Sequence, residues 1–283
     1  MLRNKAVTLL GAGTQGARLA FMWSKLGRRV HLVDPNEKQL DSAYTRIETF
    51  RRGSDPSPHK WGEIRLLDSK ELEKAASSSW MVVECVPEKL ELKRKVVQGL
   101  NDVAPQETII ASNSSSYTIT EIINGLELRN GSRFLSLHSY WPPETAAIEV
   151  MGTADTSPDV IALVMEQCKL HGFQPFHVQR TSTGYIYNRI WAAIKREALL
   201  TVAEGVASPA ELDAIFKEVL KTPKGPCEQM DIVGLDVVLD IEEHYAAERE
   251  GLPQLPREFL KKMIAEGNLG VKSGSGFYSY DGK

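Results

Sequence analysis

Short apolar runs alternate with longer amphipathic stretches over the first 180 residues of the chain. Runs such as 7–10 and 30–33 are too short for helices and are rich in branched residues, which is typical of buried parallel strands. Longer stretches such as 90–103 carry apolar residues at helical spacing. This alternation predicts an α/β fold of the Rossmann type, with a doubly wound, mostly parallel sheet.

The same pattern locates the individual elements and a change of architecture. Strands are predicted at 7–10, 30–33, 64–67, 81–85, 108–112, 134–138, 148–151 and 174–179, with helices at 17–26, 37–51, 69–76, 90–103, 118–123 and 158–170 and a Pro-rich loop at 53–60. Strand signals stop at Gly184, and the remaining stretches predict helices at 186–205, 209–220, 235–249 and 255–265. We therefore expect a sheet domain over residues 1–182 and an all-α C-terminal domain over residues 183–283.

Composition narrows the classes of partner. The net charge of −3 over 283 residues gives no electrostatic footprint for nucleic acid or an anionic membrane. No apolar run is long enough to predict a membrane span. Three widely separated cysteines, Cys85, Cys168 and Cys227, have no metal-ligand spacing, so we expect reduced thiols, no metal, and an intracellular, cytoplasmic protein.

A glycine-rich motif follows the first predicted strand and opens the first helix. It has the G-x-G-x-x-G form and comprises Gly11, Ala12, Gly13, Thr14, Gln15 and Gly16. In a strand–turn–helix setting, Gly11 permits the tight turn, Gly13 lets the backbone approach a pyrophosphate, and Gly16 lets the helix pack on the strand. Asp34 ends the second strand, where a carboxylate would accept the ribose 2′-hydroxyl. This order predicts NAD as the cofactor, although a purely structural glycine turn is the alternative.

Polar residues follow three other predicted strands, where ligands bind in open parallel sheets. These are Glu88, the cluster at 113–116 and His138. A return strand after His138 could bring Glu149 beside the imidazole, which would fix the tautomer and leave the other ring nitrogen free to exchange a proton. A histidine satisfied at a strand end, with Glu149 in solvent, is the alternative.

The chain resembles the L-3-hydroxyacyl-CoA dehydrogenase family from end to end. Seven blocks in family order carry the resemblance: the glycine motif at 11–16, VVECVPEKLELK at 82–93, ASNSSSYTIT at 111–120, Leu137-His138 with the downstream IEVM, TGYIYNRI at 183–190, PKGPCEQMDIVGLD at 223–236 and VKSGSGFYSY at 271–280.

The resemblance implies roles for particular residues. His138 would be the general acid/base and Glu149 its orienting partner. Ser115 and Asn188 would position the reacting oxygen and the nicotinamide region, so Ser115 counts among both the catalytic and the cofactor-binding residues. Glu88, Lys93 and Lys272 would contact NAD. The helical domain would bind substrate and form a homodimer.

The chain also departs from the family pattern. Trp141 stands where members usually carry the Asn of His-x-x-Asn-Pro, and the interval from His138 to Glu149 is one residue short. The interval between Asp34 and Met81 is short for the family's CoA-holding segment.

From the motif and the resemblance together, we predict an NAD-dependent oxidoreductase that interconverts a 3-hydroxyacyl and a 3-oxoacyl compound. The alternatives are a dehydrogenase or reductase of a non-CoA hydroxy acid, such as a sugar acid or a carnitine-like or pathway-specific metabolite, and a non-catalytic NAD(H)-binding protein.

Overall fold

A computed structural model describes residues 5–54 and 60–280 of the chain. Most of the predicted Pro-rich loop, residues 55–59, lies outside the described residues. The chain divides into two compact units, Met1–Tyr185 and Ile186–Lys283.

The first unit contains the sheet. Its strands are β1 (Ala6–Leu10), β2 (Val30–Val33), β3 (Ile64–Leu67), β4 (Ser79–Glu84), β5 (Ile109–Ser112), β6 (Phe134–Ser139), β7 (Ala147–Gly152) and β8 (Gln174–Val178). Its helices are α1 (Thr14–Trp23), α2 (Glu37–Arg52), α3 (Leu72–Ser77), α4 (Leu90–Val103), α5 (Ile119–Ile123) and α6 (Pro158–Leu170). The strands form one sheet in the order β3-β2-β1-β4-β5-β6-β7-β8.

The sheet is mostly parallel, and its direction changes at one pair. Neighbours from β3 to β6 pair in parallel, β6 and β7 pair antiparallel, and β7 and β8 pair in parallel. The central strands β1 and β4 are buried along their whole length, because helices cover both faces. The fold class predicted from the sequence is confirmed.

Each face of the sheet has its own apolar core. On one face, side chains of α1, α2 and α6 pack on the strands, with Phe21, Leu40 and Val164 as examples. On the other face, α3, α4 and α5 supply residues such as Ala75 and Val97. Because both layers are closed by apolar packing, polar chemistry is confined to the strand ends and loops.

The first helix begins and ends three residues before its predicted bounds. Its N-cap is Gly13, so its first turn is the glycine motif itself and contributes no apolar periodicity. At its C-terminal end, Leu26 and Gly27 adopt positive φ angles of 61° and 71° and stop the helical path. Hydrophobic spacing alone therefore placed this helix one turn too late.

The second unit is all-α, as predicted. Its helices are α7 (Tyr187–Ala203), α8 (Pro209–Leu220), α9 (Pro226–Val233), α10 (Leu235–Glu248) and α11 (Leu255–Ala265). They enclose a separate core that includes Leu199, Leu212, Met230, Leu235 and Leu260. Among the described residues, no helix is both long and apolar enough to cross a membrane.

Helix α9 is absent from the predicted elements. Pro226 at its first position was an available signal, since proline is favoured there. What holds this short helix is tertiary: the buried Asp213 carboxylate accepts hydrogen bonds from the backbone N–H groups of Cys227 and Glu228, at 2.9 and 2.8 Å. A cap supplied by another helix leaves no local pattern in the sequence.

Candidate active site

The three motif glycines face different surroundings. Gly11 has a φ of +111°, and a Cβ there would lie 2.6 Å from the Cys85 carbonyl oxygen. A Cβ on Gly16 would lie 1.9 Å from the Gly11 carbonyl oxygen. A Cβ on Gly13 would meet no described atom within 4 Å. The fold itself therefore requires Gly11 and Gly16, whereas Gly13 is left open to a ligand.

The turn around Gly13 fits an anionic, ribose-bearing ligand. The first turn of α1 receives no side-chain cap from any described residue, so its N–H groups can bind a phosphate. At the end of β2, Asp34 lies beside this turn and accepts hydrogen bonds from the backbone N–H groups of Ala12 and Asn36, at 2.8 and 2.9 Å. These residues match the requirements of a dinucleotide.

Two other motif residues contact protein groups. Thr14 is exposed, and its hydroxyl lies 3.4 Å from Arg46 Nη1. The Gln15 amide donates to the Tyr140 carbonyl oxygen at 2.6 Å. Gln15 therefore links α1, called the dinucleotide helix from here on, to the segment that follows β6.

Lys93 lies inside a carboxylate cluster. Its ammonium is 1% exposed and lies 3.1 Å from both Glu84 oxygens and 3.0 Å from Glu88 Oε2. Burial alone would lower the pKa of Lys93, but the charges of Glu84 and Glu88 outweigh it and raise the pKa. Lys93 is thus the counter-ion of Glu84 and Glu88, and its contact with NAD stays a prediction.

Glu88 connects this cluster to the serine-rich turn after β5. It accepts hydrogen bonds from the Ser114 hydroxyl at 2.5 Å and from the Ser116 backbone N–H at 2.8 Å. Ser115, between them, is exposed, and its hydroxyl bonds to no other described residue. Asn113 is turned the other way and accepts from the Ser139 backbone N–H at 2.9 Å. The turn is fixed on both sides while the Ser115 side chain stays accessible.

His138 and Glu149 stand directly opposite each other. They are paired in the antiparallel register of β6 and β7. His138 Nδ1 lies 3.6 Å from Glu149 Oε2, and the two residues are 4% and 2% exposed. This separation is longer than a hydrogen bond but close enough for a charge interaction when the ring is protonated.

Two tyrosines that the sequence did not single out surround the His138 ring. Tyr185 stacks on it with centroids 4.8 Å apart, and Tyr140 meets it edge-on at 4.7 Å. The Tyr185 hydroxyl donates to the Ser114 carbonyl oxygen at 2.7 Å, and burial raises the pKa of that phenol. Tyr140 lies two residues after His138, and this strand period was an available signal. Nothing local indicated Tyr185.

The segment between β6 and β7 is held by Arg18 from α1. The guanidinium donates to the Pro142 carbonyl oxygen at 2.7 Å and pairs with Glu144. Its central carbon lies 4.9 Å from the Trp141 ring centroid and 5.1 Å from that of Phe50. Trp141 is 54% exposed, and no described contact joins it to His138. The indole therefore packs on the dinucleotide helix.

Two predicted site residues belong to the second unit. Asn188 is in the first turn of α7 and is partly buried. Lys272 forms an ion pair with Asp236 at 2.5 Å, with both side chains partly exposed. The roles of these two residues stay predictions.

Sequence models of one family match both parts of the chain. The 3-hydroxyacyl-CoA dehydrogenase NAD binding domain matches residues 6–181, and the 3-hydroxyacyl-CoA dehydrogenase C-terminal domain matches residues 184–280. Together they span nearly the whole chain.

Individual proteins show the same similarity. The mitochondrial hydroxyacyl-coenzyme A dehydrogenase of Homo sapiens is 31% identical over 98% of this chain and 91% of its own. The probable 3-hydroxybutyryl-CoA dehydrogenase of Bacillus subtilis is 29% identical over 99% and 98%. The structure of (S)-3-hydroxybutyryl-CoA dehydrogenase PaaH1 from Ralstonia eutropha superposes with a TM-score of 0.85 at 27% identity, covering 98% and 99%. A diketoreductase structure gives a TM-score of 0.78 at 31% identity, covering 99% and 100%.

Proposed function

Because this chain belongs to the 3-hydroxyacyl-CoA dehydrogenase family of NAD-dependent oxidoreductases, we propose that it interconverts a 3-hydroxyacyl and a 3-oxoacyl compound, with His138 and Glu149 as its acid–base pair. One observation carries the proposal. A buried histidine faces a buried carboxylate across β6 and β7, in the sheet that binds NAD.

The geometry supports a division of labour within the pair. Nδ1 of His138 faces Glu149, so Nε2 is the nitrogen that takes the substrate hydroxyl proton in the oxidative direction. The Glu149 carboxylate stabilises the resulting imidazolium. In the reductive direction the imidazolium returns a proton to the developing alkoxide, which Ser115 and Asn188 would also hydrogen-bond. NAD, when bound, accepts or supplies the hydride.

Residues of several elements would hold the cofactor. The turn formed by residues 11–16 would receive the pyrophosphate, and Asp34 would receive the ribose hydroxyls. Glu88 and Lys272 would contact the cofactor as the family resemblance implies. Lys93 is surrounded by carboxylates, so its part in cofactor binding would be to hold Glu88 in place.

Gly13→Ala should weaken NADH binding while leaving the fold intact. The backbone at Gly13 has ordinary angles, φ −67° and ψ −166°, and an added Cβ meets no described atom within 4 Å. The methyl group would instead occupy the space that the pyrophosphate needs beside the backbone. We expect the Kd for NADH, measured by fluorescence titration, to rise by roughly tenfold or more, equivalent to about 1.4 kcal/mol.

Gly16→Ala is the matched variant for this test. Its Cβ would lie 1.9 Å from the Gly11 carbonyl oxygen, so it should lower the melting temperature as well as the affinity. Wild-type affinity in Gly13→Ala would contradict this placement of the pyrophosphate.

A second candidate function is reduction of a 3-oxo compound that carries no CoA. Two observations favour it. Trp141 packs on Arg18, so the position at which the family's Asn would act holds no amide. The diketoreductase that resembles this chain over its full length acts on dicarbonyl compounds.

NADH oxidation measured on matched substrates distinguishes these functions. Acetoacetyl-CoA, acetoacetate and a neutral dicarbonyl compound would be compared at equal concentration, with the products identified by mass spectrometry. A preference for the thioester supports the acyl-CoA function, and a preference for a free acid or dicarbonyl compound supports the second candidate. No turnover of any of them, with NADH bound, would contradict both.

We propose further that residues 1–182 bind NAD and that residues 183–283 bind substrate and form a homodimer. Large apolar side chains of the second unit are exposed, including Ile190 on α7, Ile215 and Val219 on α8 and Ile232 on α9. The double change Ile215→Asp and Val219→Asp should convert a dimer into a monomer, measured by light scattering. A monomeric wild-type chain would contradict the proposal.

The cytoplasmic location stays a prediction, which cell fractionation can test.

A further inference from the structure

We propose that Tyr140 is a positioning residue that sets the proton affinity of His138 through Glu149. The inference rests on the proposed function of the His138–Glu149 pair and adds a third member to it. Tyr140 acts on the carboxylate and would not itself exchange a proton with substrate.

The hydroxyl of Tyr140 and the imidazole of His138 both face the same carboxylate oxygen, Oε2 of Glu149. Tyr140 donates to Glu149 Oε2 at 2.6 Å, whereas His138 Nδ1 lies 3.6 Å from that oxygen. At 2.6 Å the phenol forms a short hydrogen bond to the oxygen, while the imidazole remains beyond hydrogen-bond distance. Of these two groups, Tyr140 is therefore the one that is hydrogen-bonded to Oε2 of Glu149.

The position of Tyr140 is determined by the dinucleotide helix. The Gln15 side chain donates to the Tyr140 carbonyl oxygen at 2.6 Å. Two residues after Tyr140, the Pro142 carbonyl oxygen accepts a hydrogen bond from Arg18 at 2.7 Å. The ring of Tyr140 lies edge-on against His138. With its backbone and ring both held, the hydroxyl has little freedom to leave the carboxylate.

Other titratable groups near His138 are arranged differently. Tyr185 covers one face of the ring, and its hydroxyl is directed to the Ser114 carbonyl oxygen. The charges of Glu88, Glu149 and Glu84 help to raise the pKa of Tyr185, and Lys93, between Glu84 and Glu88, offsets part of their charge. Glu149 is the carboxylate paired with the imidazole itself, 3.6 Å from Nδ1 across β6 and β7.

The direction in which Tyr140 changes the proton affinity of His138 follows from the competition of the two groups for Glu149 Oε2. A hydrogen bond donated to a carboxylate stabilises and partly neutralises its charge, so the carboxylate attracts a nearby imidazolium less strongly. Removing the Tyr140 hydroxyl should let Glu149 approach Nδ1 and raise the pKa of His138. Activity in the oxidative direction needs neutral His138, so its acidic limb should move to higher pH in Tyr140→Phe.

The test compares Tyr140→Phe with Tyr44→Phe, which removes a hydroxyl from an exposed position on α2. The acidic limb of kcat/KM in the oxidative direction should move up by about one pH unit in Tyr140→Phe, from the strength of a charged hydrogen bond. It should not move in Tyr44→Phe. A purely structural role for Tyr140 would lower activity without moving the limb.

A second readout needs no substrate. Nuclear magnetic resonance titration of the six histidines, with His138 assigned through His138→Gln, should show the pKa of that ring raised in Tyr140→Phe. An unchanged or lowered pKa in the folded variant would overturn the role of Tyr140. If wild-type protein turns over substrate and His138→Gln is equally active, the proposed function has failed instead, independently of this titration.

Discussion

Replacing His138 with alanine should lower kcat by about 10²- to 10⁴-fold, the usual contribution of a positioned acid–base group. The ring is buried and lies opposite Glu149 in the antiparallel register of β6 and β7. Because the glycine turn and Asp34 are on other strands, the Kd for NADH should stay close to that of the wild type. Steady-state kinetics and fluorescence titration measure the two quantities separately.

His177→Ala is the matched control for this prediction. His177 is an exposed residue of β8 in the same unit, so its removal should leave kcat unchanged. If both variants kept wild-type activity, the proton would have to be carried by a group other than His138, and the acid–base assignment would be wrong.

Lys93→Met should destabilise the first unit by about 3–5 kcal/mol, because it leaves the buried carboxylate of Glu84 without its counter-ion. Glu84 is completely buried and receives both its ion-pair contacts from Lys93. We expect the melting temperature to fall by roughly 10 °C. The folded-state pKa of Lys93 is raised, so its contribution is present throughout neutral pH and is lost only as the pH rises through that pKa.

Lys95→Met on the same helix provides the comparison. Lys95 is exposed and has no described ion pair, so its loss should change the melting temperature little. Equal melting temperatures for the two variants would show that the carboxylate cluster does not depend on Lys93. A loss of NADH affinity in Lys93→Met at low temperature, where the variant is folded, would indicate that displacement of Glu88 disturbs the cofactor site.

Strand and helix alternation could be predicted from the sequence because each element carries its own periodicity. The opposition of His138 and Glu149 was also within reach, since two strands joined by a proline-bearing turn bring residues at the right spacing together. The glycine motif could be interpreted in the same way, because its setting between a strand and a helix is local.

Contacts between distant segments could not be predicted. Tyr185 reaches His138 from 47 residues further along the chain, and helix α9 is capped by Asp213 from α8. The burial of Lys93 depends on Glu84, a strand residue with no distinguishing pattern. In each case the partner is chosen by tertiary packing, which hydrophobic periodicity does not encode.

The most direct test of the proposed chemistry follows deuterium into the product from NADH that carries deuterium at both positions of its reactive ring carbon. Wild-type protein, the best oxo substrate of the panel and this cofactor should give a hydroxy product with deuterium on the former carbonyl carbon. With His138→Gln, the same labelled product should form at least about 10²-fold more slowly, while NADH still binds. Unlabelled product, or labelled product formed equally fast by both proteins, would contradict hydride transfer assisted by His138.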